Sequence, residues 1–410
     1  MPSWASLLGR LAGWRPLWPV INEERIGLLC FEAAQAVSLL SAGQPLRAEL
    51  FGPGGTPLAT LDLSDSALRQ HGLRVHRYQL QAGPHELRLQ SGRLRWRVRW
   101  QAPTLSPGQA LVGQACTRHG TPLLFSAPCD ASHYPYEDES LRPWFDQPDA
   151  AQRVQRQLEQ GLVDEATAAQ WLHFIEHGYL EIEQAFDPAL LDQVNTQVDQ
   201  AAAAGHQGYV MGSSQRLEQL HRPEGPMRRL WLQPHARRIV EGLFGSGTAR
   251  PAQTLAFLYG SQQDAHQDTI HLTPFPAGFM CGLWIALQDV QPGSGELVVY
   301  PGSHRTPRLR MHEQGCAKVV NQDWSEFGRR MVPVWGQWAA AREPVVYRPK
   351  KGSALIWHEN LLHAGSARQF PELTRRSVVI HYYNDDTIAY SDSTGEPAMA
   401  ATRQELGLAG

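Results

Sequence analysis

His266 and Asp268 are separated by one residue in SQQDAHQDTIHL (261–272). Side chains two apart on a strand share a face and lie about 6–7 Å apart, so an imidazole nitrogen and a carboxylate oxygen can converge on one ion. Such a pair supplies two corners of a facial triad of two histidines and one carboxylate. That triad leaves positions open on Fe(II) for a bidentate cosubstrate and O2. Alone, the spacing is a weak signal. Seventeen histidines in the chain give about one or two such pairs by chance.

The segment GSALIWHENLLHAGSARQFPELTRRSVVIHYYN (352–384) strengthens it. A strand ends in IWH, a turn follows, and His363 comes next. About a dozen residues later a further strand begins with Arg375 and Arg376. An arginine turned inward there can grip a carboxylate bidentately and keeps its charge when partly buried. The composite joins four residues: the His-x-Asp pair, a distant histidine on a turn, and then an arginine.

With these residues, the region from about 165 to 390 resembles the phytanoyl-CoA dioxygenase (PhyH) family of Fe(II)/2-oxoglutarate-dependent oxygenases. The resemblance rests on GSQQDAHQD, on GLWIALQDVQPGSGELVVYPGSHR, and on LLHAGS followed by TRRS. HFIEHGYLEI and FDPALLDQV are similar to the family's entry segment. The resemblance implies a double-stranded β-helix, a jelly roll of cupin type, with Fe(II) as cofactor and 2-oxoglutarate and O2 as cosubstrates. It implies His266, Asp268 and His363 as iron ligands and Arg375 as the grip on the distal carboxylate of 2-oxoglutarate. It places Gln267 and Trp284 beside the cosubstrate. The polar residue that the family often has two positions after the second histidine is here Gly365, with the hydroxyl of Ser366 next to it. Arg376 falls on the opposite face from Arg375. The implied reaction is hydroxylation of an unactivated C–H, with release of succinate and CO2. Asp268 occupies the position that halogenating relatives leave open for chloride.

Rival readings are a metal-binding cupin-type isomerase or lyase, which would not need Arg375 as an anchor, and a non-catalytic binding protein. His271 reads as a pocket-rim or exposed residue and His304 as a turn-stabilising one. His358 and His381 read as core or rim histidines.

These residues need a scaffold. Periodicity puts helices in DAAQRVQRQLEQGL, DEATAAQWLHFIEHG, FDPALLDQVNTQVDQAAAAG and PHARRIVEGLFG, and returns to β after residue 250. The fold class is therefore mainly β with flanking helices. The first 135 residues read as a separate small antiparallel β-sandwich. RLRWRVRW (93–100) puts Leu94, Trp96, Val98 and Trp100 on one face and four arginines on the other, solvated or paired across strands. Residues 136–160 read as connector and helix, 161–395 as the catalytic jelly roll and 396–410 as a tail. Residues 205–230 and 306–345 interrupt the β pattern and are candidate lids or substrate loops. The N-terminal MPSWASLLGRLAGWRPLWPV reads as a short amphipathic helix.

The chain carries 37 Lys and Arg against 40 Asp and Glu, for a net charge of −3. That balance argues against nucleic acid as a partner. No apolar run is long enough to span a membrane, so stable insertion is not expected. Five scattered cysteines without a C-x-x-C pair point to reduced thiols and a cytoplasmic location. The expected partner is a small-molecule or glycan substrate, and a homodimer is compatible with the sequence.

Overall fold

The structure is a computed structural model; it describes residues 14–17, 23–213 and 215–408. Its N-terminal part contains two sheets. Leu46–Phe51, Pro57–Leu63, Gly83–Ser91 and Leu94–Ala102 form an antiparallel sheet, which Arg15–Pro16 extends in parallel beside Leu94–Ala102. Leu28–Phe31, Leu73–His76 and Leu124–Phe125 form the second. Ala48, Leu87, Leu89, Trp96 and Val98 of the first sheet meet Phe31, Leu73 and Val75 of the second in one core. The expected alternation holds on Leu94–Ala102: Trp96 and Val98 are buried, whereas Arg95 and Arg99 are exposed. Glu86 pairs with Arg99 on the neighbouring strand and with Arg88 on its own.

One feature differs from the sequence expectation. A helix, Pro107–His119, interrupts the β pattern, closed at its start by a Ser106–Gln109 capping box and ended at Gly120. The connector packs on the larger part: Tyr136 donates to the Pro274 carbonyl at 2.8 Å, and Tyr134 just before it stacks on Phe275 at 5.3 Å. The tail is docked too, with the Ala401 carbonyl accepting from Arg250 Nε at 2.7 Å and Glu405 pairing with Arg228. The expected N-terminal amphipathic helix lies outside the described residues, apart from 14–17, which hold the short parallel strand.

The larger part is built on a six-stranded sheet in the order Leu217–Glu218, Ala249–Phe257, Ser377–Asn384, Met280–Ala286, Ala354–His358, Tyr179–Ile182. Alternation gives its central strands two apolar faces. Leu283, Ile285, Ile356, Val378 and Ile380 pack beneath the helices Glu165–His177, Pro188–Ala203 and Pro234–Phe244. These helices begin where Asp164, Asp187 and Gln233 cap their first turns. On the other face Leu255, Phe257, Trp284, Trp357 and Val379 meet Leu297, Val299 and Tyr347 of a three-stranded sheet, Val345–Tyr347, Leu297–Val299 and His363–Gly365. An isolated antiparallel bridge between His266 and His363 extends that sheet. The chemistry-bearing residues thus lie where the two facing sheets open. All five cysteines are free and buried, and among the described residues no helix is long and apolar enough to cross a membrane.

Candidate metal and cosubstrate site

His266 Nε2 and His363 Nε2 each lie 3.7 Å from Asp268 Oδ1. Among the described residues these three form a group whose ligand atoms all fall within 4.8 Å of one another. The imidazoles are held by their other nitrogens: His266 Nδ1 lies 2.8 Å from the Asp264 carbonyl and His363 Nδ1 3.0 Å from the Leu361 carbonyl. A carbonyl only accepts, so each Nδ1 carries the proton and each Nε2 presents its lone pair. Asp268 is divided in the same way. Its Oδ2 accepts from Trp357 Nε1 at 2.8 Å and contacts His381 Nε2 at 3.2 Å, which leaves Oδ1 toward the two histidines. This donor set fits a divalent transition metal with open positions.

Electrostatics favour the liganding forms. Burial, reinforced by the neighbouring His363, pushes His266 down to about 4, so the ring is neutral at physiological pH. Burial acts to raise Asp268, but His363, His381 and His266 outweigh it and hold the carboxyl well below the usual range.

A cavity of about 560 Å³ opens beside this group and reaches Arg375 at its other end. Arg375 is 3% exposed. Its Nε donates to the Gly295 carbonyl at 3.0 Å, its Nη1 donates to Ser377 Oγ, and its guanidinium lies 5.5 Å from the Trp284 ring centre and 5.4 Å from that of Phe257. Burial brings its pKa down to about 10, against the opposing charge of Glu296, so it stays cationic at neutral pH. No carboxylate of the described residues lies within ion-pair distance of it. Arg376 instead faces the helix side and pairs with Asp199 at 2.8 Å. Val379 and His381 line the cavity with Arg375, as the expected strand register requires.

Trp284 lies beside Arg375, but two other expected residues point elsewhere. Gln267 is fully buried behind the metal group. Its Nε2 donates to Thr306 Oγ1 and to the Asn360 carbonyl, and its Oε1 accepts from Trp335 Nε1 at 3.0 Å. Its place between two inward residues forces this orientation. Ser366 Oγ donates to Glu296 Oε2 at 2.9 Å and stays outside the cavity wall. Sequence reasoning missed Trp357 as a partner of Asp268 and left His381 as a core or rim residue. Both contacts arise only when strands pair. His304 is a turn histidine, with Nε2 3.2 Å from the Ile175 carbonyl. His271 lines the cavity and contacts Ser393 Oγ at 3.0 Å. The interrupting segments also reach the cavity, through Gln215 and Arg216 on one side and Trp324, Phe327 and Trp335 on the other.

Residues 174–376 match the family model described as Phytanoyl-CoA dioxygenase (PhyH). That stretch, just under half of the chain, is thus a PhyH-type domain, the family that the sequence motifs resembled. A probable phytanoyl-CoA dioxygenase of Caenorhabditis elegans is 29% identical over 33% of this chain and 40% of its own length. The peroxisomal phytanoyl-CoA dioxygenase of Rattus norvegicus is 29% identical over 31% of this chain and 35% of its own length. The match thus spans less than half of either relative. A solved structure of a non-heme alpha ketoglutarate dependent carbocyclase, SnoK from nogalamycin biosynthesis, has a TM-score of 0.44 at 19% identity, covering 55% of this chain and 85% of that one. At that score the likeness carries no weight for fold or reaction.

Proposed function

We propose that the chain is an Fe(II)/2-oxoglutarate-dependent hydroxylase with a jelly-roll catalytic domain, acting on a C–H of a small-molecule or saccharide-type substrate. The observation that carries this reading is one cavity with a three-donor metal group at one end and a buried, carboxylate-free guanidinium at the other. His266, Asp268 and His363 would hold the iron. Arg375 would receive the distal carboxylate of 2-oxoglutarate as a charge-assisted pair, flanked by Trp284 and Phe257. Bound iron, with O2 and 2-oxoglutarate, supplies the oxidising power, and the cosubstrate leaves as succinate and CO2. The protein's part is to orient. Trp357 and His381 hold Asp268 Oδ2, so that Oδ1 would be the oxygen offered to iron, and the apolar wall of Leu255, Leu297 and Val379 would limit water around the cosubstrate.

The outer half of the cavity supports a polar substrate. It carries His271 and the hydroxyls of Ser391 and Ser393, which are linked at 3.0 Å, beside the half-exposed Trp324 ring. Arg216, the cation there, is tied to Glu218 at 2.8 Å. Such a wall suits hydrogen-bonding groups on a flat ring. The free, buried thiols support a reducing compartment, the cytoplasm. An isomerase or lyase on the same metal would leave Arg375 without a task.

The test is succinate formation with Fe(II) and 2-oxoglutarate, screened against metabolite and saccharide pools, with products read by a mass gain of one oxygen. Succinate formation that no pool component stimulates, or unaltered turnover without Fe(II), would contradict the reading.

A further inference from the structure

Glu296 stands behind Arg375. Its side chain is 3% exposed, yet it lies beyond ion-pair distance of the guanidinium. Four donors occupy its two oxygens. Oε1 accepts from Gly293 N at 3.0 Å and Arg348 Nε at 2.9 Å, and Oε2 accepts from Gly295 N at 3.2 Å and Ser366 Oγ at 2.9 Å. The carboxylate is therefore saturated and cannot swing toward Arg375 without abandoning the buried amides of Gly293 and Gly295, each costly to leave unpaired. The turn it closes is the one whose Gly295 carbonyl accepts from Arg375 Nε. That turn is tightly seated: Gly295 has φ +91°, and a Cβ on Gly260 would collide with the Gly295 carbonyl oxygen. An unsaturated carboxylate at this position could reach for the cation and compete with an incoming ligand. A saturated one balances the buried charge from a distance and leaves the outer edge of the guanidinium free.

We propose that Glu296, restrained by Ser366 and Arg348, is a positioning residue for the cosubstrate: it aims Arg375 through the Gly295 carbonyl and balances its charge without occupying its carboxylate-binding edge. The inference rests on the oxygenase reading and deepens it. It also gives Ser366 a task that acts through Glu296 rather than by contact with the cosubstrate.

The test compares two 2-oxo acids that chelate iron alike but differ at the far end. 2-Oxoglutarate has a distal carboxylate and 2-oxobutyrate has none. Each is titrated anaerobically into the Fe(II)-loaded full chain and followed by the visible charge-transfer absorption of the chelate. Glu296→Gln keeps the shape and removes the charge. It is expected to raise the Kd for 2-oxoglutarate about tenfold, a change of ~1.4 kcal/mol, and to leave that for 2-oxobutyrate within about twofold. Ser366→Ala, a milder change that decides the matter if Glu296→Gln does not fold, should shift 2-oxoglutarate alone by about threefold. Equal weakening of both ligands would overturn the proposal, because it would report general damage to the site. Unchanged 2-oxoglutarate binding in the variants would overturn it as well. A wild-type chain that chelates 2-oxobutyrate normally but shows no preference for 2-oxoglutarate would overturn the oxygenase reading itself, and this inference with it.

Discussion

Two arginines sit at opposite ends of one strand pair. Ala249–Phe257 runs antiparallel to Ser377–Asn384, with Arg250 opposite Tyr383 and Phe257 opposite Ser377. Arg250 is 1% exposed and Arg375 3% exposed. Arg250 is fully employed: it pairs with Asp385 at 3.1 Å and donates to the carbonyls of Ala401 and Glu23 at 2.7 and 2.6 Å, tying both ends of the chain to the sheet. Arg375 has a carbonyl, a hydroxyl and two aromatic rings, but no carboxylate. Burial alone therefore does not mark a binding residue. A buried cation whose anionic partner is missing, at the wall of a cavity, does.

Substitution should separate the two ends. Arg250→Met leaves Asp385 with only its partly exposed partner Arg403, and should cost about 3–5 kcal/mol of stability, read as a large fall in Tm with metal affinity intact. Arg375→Met should weaken 2-oxoglutarate binding by about 2–4 kcal/mol, read by titration, while Tm holds or rises because an incompletely paired buried charge is removed. If Arg375→Met unfolded the chain as Arg250→Met does, the two ends would be alike and the comparison would fail.

The metal end sharpens the contrast. Asp268→Ala should abolish coupled turnover and keep the fold, as circular dichroism would check. Trp357→Phe, which removes one donor to Asp268 Oδ2, should reduce metal affinity about 10–100-fold in a metal-competition assay. A smaller effect concerns acid. His76, His221 and His304 are pushed down to about 3 by burial, with charged neighbours adding to it. Each folded value lies below the unfolded value near 6.5, so the unfolded chain binds protons first. Their contribution is complete above pH 6.5 and is lost as pH falls toward 3, and the Tm of the metal-free chain should drop across that window. His76→Leu should flatten the drop. The smallest effect belongs to Arg376→Ala, which breaks a surface pair with Asp199 and should change 2-oxoglutarate binding and stability by less than about 1 kcal/mol.

The chain's legibility follows the same physics. His266, Asp268, His363 and Arg375 stood out by residue type and spacing and do line one cavity, with Val379 and His381 on the same side as Arg375. The strand expected through His266 and Asp268 is instead an isolated bridge followed by a short turn that Asp268 opens. Gln267 did not join them. Sitting between two inward residues, its amide serves Trp335 and Thr306, partners far away in sequence. Ser366 looked like a ligand contact because a hydroxyl stands near the family position, but Glu296 claims it. The donors to Asp268, Trp357 and His381, come from two strands on either side of Met280–Ala286, and only the sheet order brings them together. The helix Pro107–His119 had a legible start in Ser106, Pro107 and Gln109, but it was hidden by the β pattern around it.

The central claim is that Arg375 awaits the distal carboxylate of a 2-oxo acid chelated at His266, Asp268 and His363. The most direct test is calorimetric titration of 2-oxoglutarate into the chain loaded with Mn(II) in place of Fe(II), for the wild type and Arg375→Met, with and without metal. The account predicts metal-dependent, one-to-one binding that Arg375→Met weakens by about 30-fold or more. Binding of equal strength in wild type and variant, or binding indifferent to the metal, would contradict it.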